Sequence, residues 1–272
     1  MPGPSPISNP LRSLGGAVLD GVEYAGALTV LMHRTLVMAV RGMLPGGSFR
    51  WGETTRQVVR VGTKSLGIVV AGQLFIGVIL ALQIAPPLKP WGQVDKLADI
   101  IGVGGFRMLG PILAGIILTG FAGASIAAEI STMVVGEEVE ALETMALDPV
   151  EFLVVRRVVA SFTAMVLLTM LSDVMIAAGG YLTSCLAMGP EVYLGYWRNM
   201  KDTLNWLDFL TGLIQGGVFG ILISLIACRE GLGVRGGAEG VGRAVTKTVV
   251  HSIAAIIFSA GVFTVIFYTF KW

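Results

Sequence analysis

The sequence predicts an all-α polytopic membrane protein: an N-terminal interfacial helix, five transmembrane helices, and a short cytoplasmic helix between the second and third spans. Three observations carry this. The 272 residues are 54% hydrophobic and 14% charged, with a mean hydropathy of +0.79, well outside the range of ordinary soluble domains. Five apolar stretches reach the roughly 20 residues that a spanning helix needs. Finally, the stretch GEEVEALETMALDP, residues 136–149, gathers Glu137, Glu138, Glu140, Glu143 and Asp148 between two of those stretches.

In chain order, MPGPSPISNP lacks the basic region and short apolar core of a cleavable signal. It is expected to be a disordered lead-in, which leaves insertion to the internal spans. Residues 18–44 are apolar but interrupted by Asp20, Glu23, His33, Arg34 and Arg41, a pattern suited to a helix lying in the interface. The chain thus divides into a cytoplasmic lead-in with an interfacial helix, 1–65, and a five-span domain, 66–272. The spans are expected at 66–88, 109–135, 152–187, 209–228 and 248–270. The third is too long for one perpendicular helix, so it tilts, kinks near Gly179-Gly180 or runs beyond the bilayer. With five spans and the N-terminus inside, thirteen of the nineteen Lys and Arg residues fall on the inner side and six on the outer. That favours a cytoplasmic N-terminus, an external C-terminus and a cytoplasmic location for the acidic stretch. Arg156 and Arg157, at the start of the third span, are expected at the inner headgroups.

Within 136–149, Val139, Leu142, Met145 and Ala146 recur at helical spacing while Glu137, Glu138, Glu140 and Glu143 take much of the remaining surface. This reads as a short amphipathic helix ended before Asp148-Pro149, because the residue before proline avoids the α region. A solvated loop has no use for an apolar stripe, whereas a permease docking into a soluble motor subunit needs one. Glu129 and Asp173 lie within apolar segments, where a charge costs about 2.5–3.5 kcal/mol on insertion scales. Glu129 is read as a polar contact in the transport path or between helices, and Asp173 as structural. The first span offers an apolar surface of Leu74, Phe75, Ile79 and Leu82, with Gln73 and Gln83 as its uncharged polar groups. Gly212, Gly216 and Gly220 are spaced for close helix contact, as are Gly123, Ala124, Ala127 and Ala128, within one subunit or across a dimer, with internal packing favoured because such motifs are frequent in any polytopic protein.

Other chemistries find little support. The formal charge of +1 gives no basic field for nucleic acid. No phosphate loop of the G-x-x-x-x-G-K-[ST] type occurs, and the glycines of 231–236 follow an apolar helix rather than a strand, so they read as turns. His33 and His251 are far apart with no ligand cluster. Cys185 and Cys228 sit in different apolar segments as small hydrophobes. No catalytic constellation assembles, so the chain is not expected to be an enzyme. A secondary transporter or channel for an apolar solute is the main alternative. Against it stand the absence of an evident internal repeat and the presence of only two intramembrane carboxylates.

The segments GASIAAEISTM, GEEVEALETMALDPVEFLVVRRVVA and ISLIACREGLGVRGGAEGVGRAVTKTVV together resemble the MlaE/YrbE-type permeases of ABC lipid transporters that work with MCE-domain proteins. The resemblance runs from about residue 66 to 270. It implies a phospholipid or related lipid as substrate, a homodimer in the inner (cytoplasmic) membrane, and an MCE-domain protein on the outer side. It also implies a separate cytoplasmic ATPase that holds ATP and magnesium, with no cofactor in this chain. The acidic helix then becomes the coupling helix, with Glu137, Glu138, Val139, Glu140, Leu142, Glu143 and Met145 facing the ATPase. One position departs from the pattern: family members commonly carry arginine after the glycine before GASIAAE, where this chain has Phe121 after Gly120.

Overall fold

A computed structural model describes residues 10–43 and 51–270. The described residues are almost wholly helical. The expected lead-in and the two C-terminal residues fall outside them, save for Pro10. Helix α1 spans Pro10–Met43 and α2 Trp51–Leu88. The second span is a composite of α3 (Leu97–Gly104), α4 (Gly110–Leu118) and α5 (Ala124–Val135), joined by π-helical turns at Gly105–Leu109 and Thr119–Gly123. The short α6 is Glu138–Thr144, and a third π turn, Val150–Val154, leads into α7 (Val155–Ala187). Then come α8 (Pro190–Thr203), α9 (Trp206–Leu232) and α10 (Gly237–Phe270). Five stretches are long and apolar enough to cross a membrane: Gly52–Trp91, Val94–Val135, Val150–Ala187, Trp206–Leu232 and Gly237–Thr269.

The number of spans agrees with the sequence reading, but several boundaries do not. α2 begins well before residue 66, because Glu53, Arg56, Arg60 and Lys64 recur every three or four residues, which places these charges along one side of a continuing helix. The second span starts at Val94 rather than 109. α7 is unbroken at Gly179-Gly180. At 1.5 Å per residue its 33 residues reach about 50 Å, so it outruns a hydrocarbon layer of about 30 Å. α8 is an element the hydropathy reading passed over. Gly189 at φ 85° and Pro190 in its first turn start it, and Val192, Tyr196 and Met200 bury one side of it against α3.

Glycine sets the packing distance in the middle of the bundle. A side chain at Gly77 would strike the backbone carbonyl of Ile176, and one at Gly179 would strike that of Leu74, so α2 and α7 run parallel with their backbones touching. On α9, Gly212 and Gly220 meet the backbone carbonyls of Phe106 and Ser161, and Gly216 the Thr169 hydroxyl, which makes that motif an internal contact. Several buried hydroxyls return to their own helix: Thr169 donates to the Met165 carbonyl at 2.8 Å and Ser184 to that of Gly180 at 2.9 Å, whereas Ser172 donates across to the Gly110 carbonyl at 3.1 Å. α9 is the central strut, with 61% of its most apolar window buried against 17% for the fifth span. It opens on a capping box in which Asn205 and Asp208 bond reciprocally to each other's backbone. Gly236 and Gly237, at φ 92° and 65°, make the turn between α9 and α10 expected of that glycine-rich stretch.

Candidate functional site

The ends of the bundle differ in chemistry. At the α6 end, charged residues from three spans meet. Arg60 Nη2 of α2 lies 2.6 Å from Glu129 Oε1 of α5, and Arg157 Nη2 of α7 lies 3.6 Å from Glu129 Oε2. Ser125 Oγ donates to Glu129 Oε1 at 3.4 Å. Glu129 therefore has two cationic partners from other spans, which no spacing in the sequence could reveal. Arg157 is buried and also donates to the Leu153 carbonyl at 3.1 Å. Arg156 pairs with Glu53 of α2, and its guanidinium lies over the Phe152 ring, 4.0 Å from the centroid. Both arginines are thus engaged by carboxylates of α2 and α5, partners that the sequence reading did not name. Phe121 lines a small cavity with Gln57, Arg60, Lys64 and Glu129, and the cations beside Glu129 come from α2 and α7.

α6 hangs between α5 and the π turn that opens α7. It is shorter than the 136–149 helix read from the sequence, and Glu137 and Met145 lie in its flanking turns. Glu137 and Ala146, at φ 60° and 58°, are the non-glycine residues with positive φ among the described residues, and they bracket α6 on both sides. Each left-handed residue of this kind costs about 1–2 kcal/mol. At the C-terminal side the chain makes a Schellman turn: Leu147 N–H donates to the Leu142 carbonyl at 3.0 Å and Ala146 N–H to that of Glu143 at 2.9 Å. Asp148 Oδ1 then accepts from Val150 N–H at 2.8 Å, which starts the next helical segment. Val139 and Leu142 are half-buried, while Glu138, Glu140 and Glu143 are exposed. Met145, 67% exposed, and Leu147 present the free apolar surface.

The remaining residues singled out from sequence are dispersed. Phe75, Ile79 and Leu82 share an exposed side of α2, whereas Leu74 is half-buried and its carbonyl meets Gly179. Within one chain they line no common cavity among those described. Asp173 is completely buried, with one oxygen against Gly110, and neither carboxyl oxygen has a hydrogen-bond partner. At the opposite end, Arg107, inside the first π turn, pairs with the buried Asp208 at the start of α9. Arg107 also borders a cavity of about 560 Å³ with Val103, Gly104, Met108, Thr264, Phe267 and Tyr268. The sequence reading missed the Arg107–Asp208 pair; the capping pattern at Asn205 was its one readable sign.

A bundle of five long apolar helices, with charged side chains linking the spans at one end and a short acidic helix held between two of them, belongs to the class of multi-pass membrane proteins. The family model for permease MlaE matches residues 54–266, and the chain belongs to that family of ABC transporter permeases. A probable ABC transporter permease protein of Rickettsia bellii is 37% identical over 264 residues, covering 96% of this chain and 99% of that protein. A second, from Rickettsia felis, is 38% identical over 215 residues, covering 78% and 82%. The intermembrane phospholipid transport system permease protein MlaE of Haemophilus influenzae is 29% identical over 268 residues, covering 94% and 100%.

Proposed function

We infer that this chain is the membrane subunit of an ABC transporter that moves phospholipid, and that α6 is its coupling helix to a separate cytoplasmic ATPase. One observation carries the reading. α6 is short, acidic, bounded by two strained residues, and joined directly to α5 on one side and to the π turn before α7 on the other. A push on it reaches Glu129 and Arg157 within a few turns. Met145 and Leu147 supply the apolar contact with the motor, and Glu137, Glu138, Glu140 and Glu143 steer and orient it. The name of the Haemophilus relative supports phospholipid as the substrate. The apolar surface of α2 at Phe75, Ile79 and Leu82 and the cavity beside Arg107 suit a lipid better than a charged solute.

The α6 end then faces the cytoplasm, with the N-terminus on the same side and the C-terminus outside. α1 lies along the inner interface. Two copies of the chain serve the paired ATP sites of the motor, which bind ATP and magnesium, and an MCE-domain protein receives or delivers lipid at the outer end. Copurification from the native membrane tests the reading. An ATPase subunit retained in stoichiometric amount supports it, whereas a permease that moves lipid without any ATPase is a secondary transporter. Cysteine labelling at Glu140 and Leu194, both exposed, tests the orientation, and labelling of both from one side contradicts it.

A further inference from the structure

α1 does more than rest against the bundle: together with α9 and α10 it closes a trough of about 470 Å³. The walls are apolar, with Leu28 and Met32 from α1, Leu222 and Ile226 from α9, and Phe258 and Val262 from α10 among them. The trough follows α9 and α10 for eight residues each, about 12 Å.

All three helices turn polar at the same level, at the end of the trough nearest α6. On α1, Tyr24 adjoins Ala25. On α9, Arg229 and Glu230 lie one turn past Ile226. On α10, His251 lies one turn before Ala255. These groups are tied together. Tyr24 Oη donates to Glu230 Oε1 at 2.8 Å, His251 Nδ1 lies 3.2 Å from the same oxygen, and the Arg229 guanidinium stacks 3.7 Å above the Tyr24 ring. Burial, with the Glu230 carboxylate adding to it, pushes the Tyr24 phenol well above its ordinary range, so it remains a donor. Glu230 is largely buried and accepts from Tyr24, and its Oε1 also lies 3.9 Å from Arg229 Nη1, so the Arg229 charge is partly offset at the mouth. Lys247, one turn below His251 on the same side of α10, is exposed and has no ion-pair partner among the described residues.

We propose that this trough and its polar mouth form a binding site for one anionic glycerophospholipid, its phosphate at Lys247 and the edge of Arg229 and an acyl chain between α1, α9 and α10. Charge and shape agree on this occupant. A mouth that carries Lys247, without an ion-pair partner among the described residues, opens into an apolar slot that follows the fourth and fifth spans, and a protein helix filling the slot would have no use for that lysine. The bound lipid fastens α1 to the fourth and fifth spans. Its occupancy is measurable whether or not the chain transports lipid.

The test is native mass spectrometry of the full-length protein in mild detergent, titrated with phosphatidylglycerol, with phosphatidylcholine and, separately, with inorganic phosphate. The parent should retain phosphatidylglycerol in preference to phosphatidylcholine. Lys247→Glu should lower that retention about tenfold, as expected for reversing one headgroup cation. Ser259→Trp, which fills the trough, should lower retention of both lipids, and Val262→Phe repeats that test should the tryptophan variant fold poorly. Equal retention in Lys247→Glu and parent overturns the proposal. So does inorganic phosphate that displaces phosphatidylglycerol completely while Ser259→Trp leaves phosphatidylglycerol retention unchanged, since that is a free-anion site. Loss of a dimer in Ser259→Trp with lipid retention unchanged also overturns it, because a second copy then covers the trough.

Discussion

In the apolar middle of the bundle, α2 and α7 lie backbone on backbone, with Gly77 against Ile176 and Gly179 against Leu74. At the α6 end the same two helices are joined by long charged side chains, Glu53 to Arg156, and Arg60 to Arg157 by way of Glu129. The two kinds of contact respond to force differently. Touching backbones have no soft degrees of freedom, so the middle of α2 moves only as one body with α7. Ion pairs between long side chains keep contact while their helices shift by an ångström or more. On the proposed function, a motor at the α6 end would displace α5 against α2 and α7, and the glycine seam would pass that displacement on as a rigid motion.

The largest expected effect breaks the seam. Gly77→Ala places a methyl group on the Ile176 carbonyl and should destabilise the protein by 1–3 kcal/mol or more, on the order expected for overpacking. Gly62→Ala, in the same helix with nothing within 4 Å of the new methyl, should be neutral or stabilising by up to ~1 kcal/mol. Thermal unfolding of both in detergent checks the pair, and equal effects would mean that α2 and α7 are not in backbone contact.

At the α6 end, Arg157→Lys should cost about 1–3 kcal/mol, because lysine cannot reach the Leu153 carbonyl and Glu129 together. Glu129→Gln keeps an acceptor for both arginines but removes the charge. It should slow lipid transfer in reconstituted vesicles much more than it lowers the unfolding temperature; parental transfer rates in a folded variant would make the triad purely structural. The smallest effect is expected at Ala146→Gly, which relieves the left-handed strain. Stability should rise by no more than ~1 kcal/mol, measured as the unfolding midpoint.

What the sequence revealed follows the same division. Apolar length made all five spans legible, and the glycine spacing on α9 marked a close helix contact, because both signals are local; which helix it meets was not legible. The partners of Glu129 were not legible, since Arg60 and Arg157 lie 69 and 28 positions away and only the packing of three helices brings them together. α6 was recognisable from its apolar and acidic alternation, but its ends were not. Glu137 and Ala146 occupy left-handed positions where glycine would have signalled a stop. α8 was missed because its buried side, Val192, Tyr196 and Met200, is interleaved with charged residues that lower its hydropathy.

The central claim is that the α6 end receives the motor and the α8 end does not. It is tested most directly by retention of the ATPase on permease variants that carry one new arginine at either end. Met145→Arg should lose the ATPase with little change in unfolding temperature, because Met145 is exposed and supports no packing. Glu138→Lys should weaken retention in a salt-dependent way. Leu194→Arg, equally exposed on α8, should retain the ATPase in full. A well-folded Met145→Arg that keeps a full complement of ATPase, or a Leu194→Arg that loses it, would contradict the account.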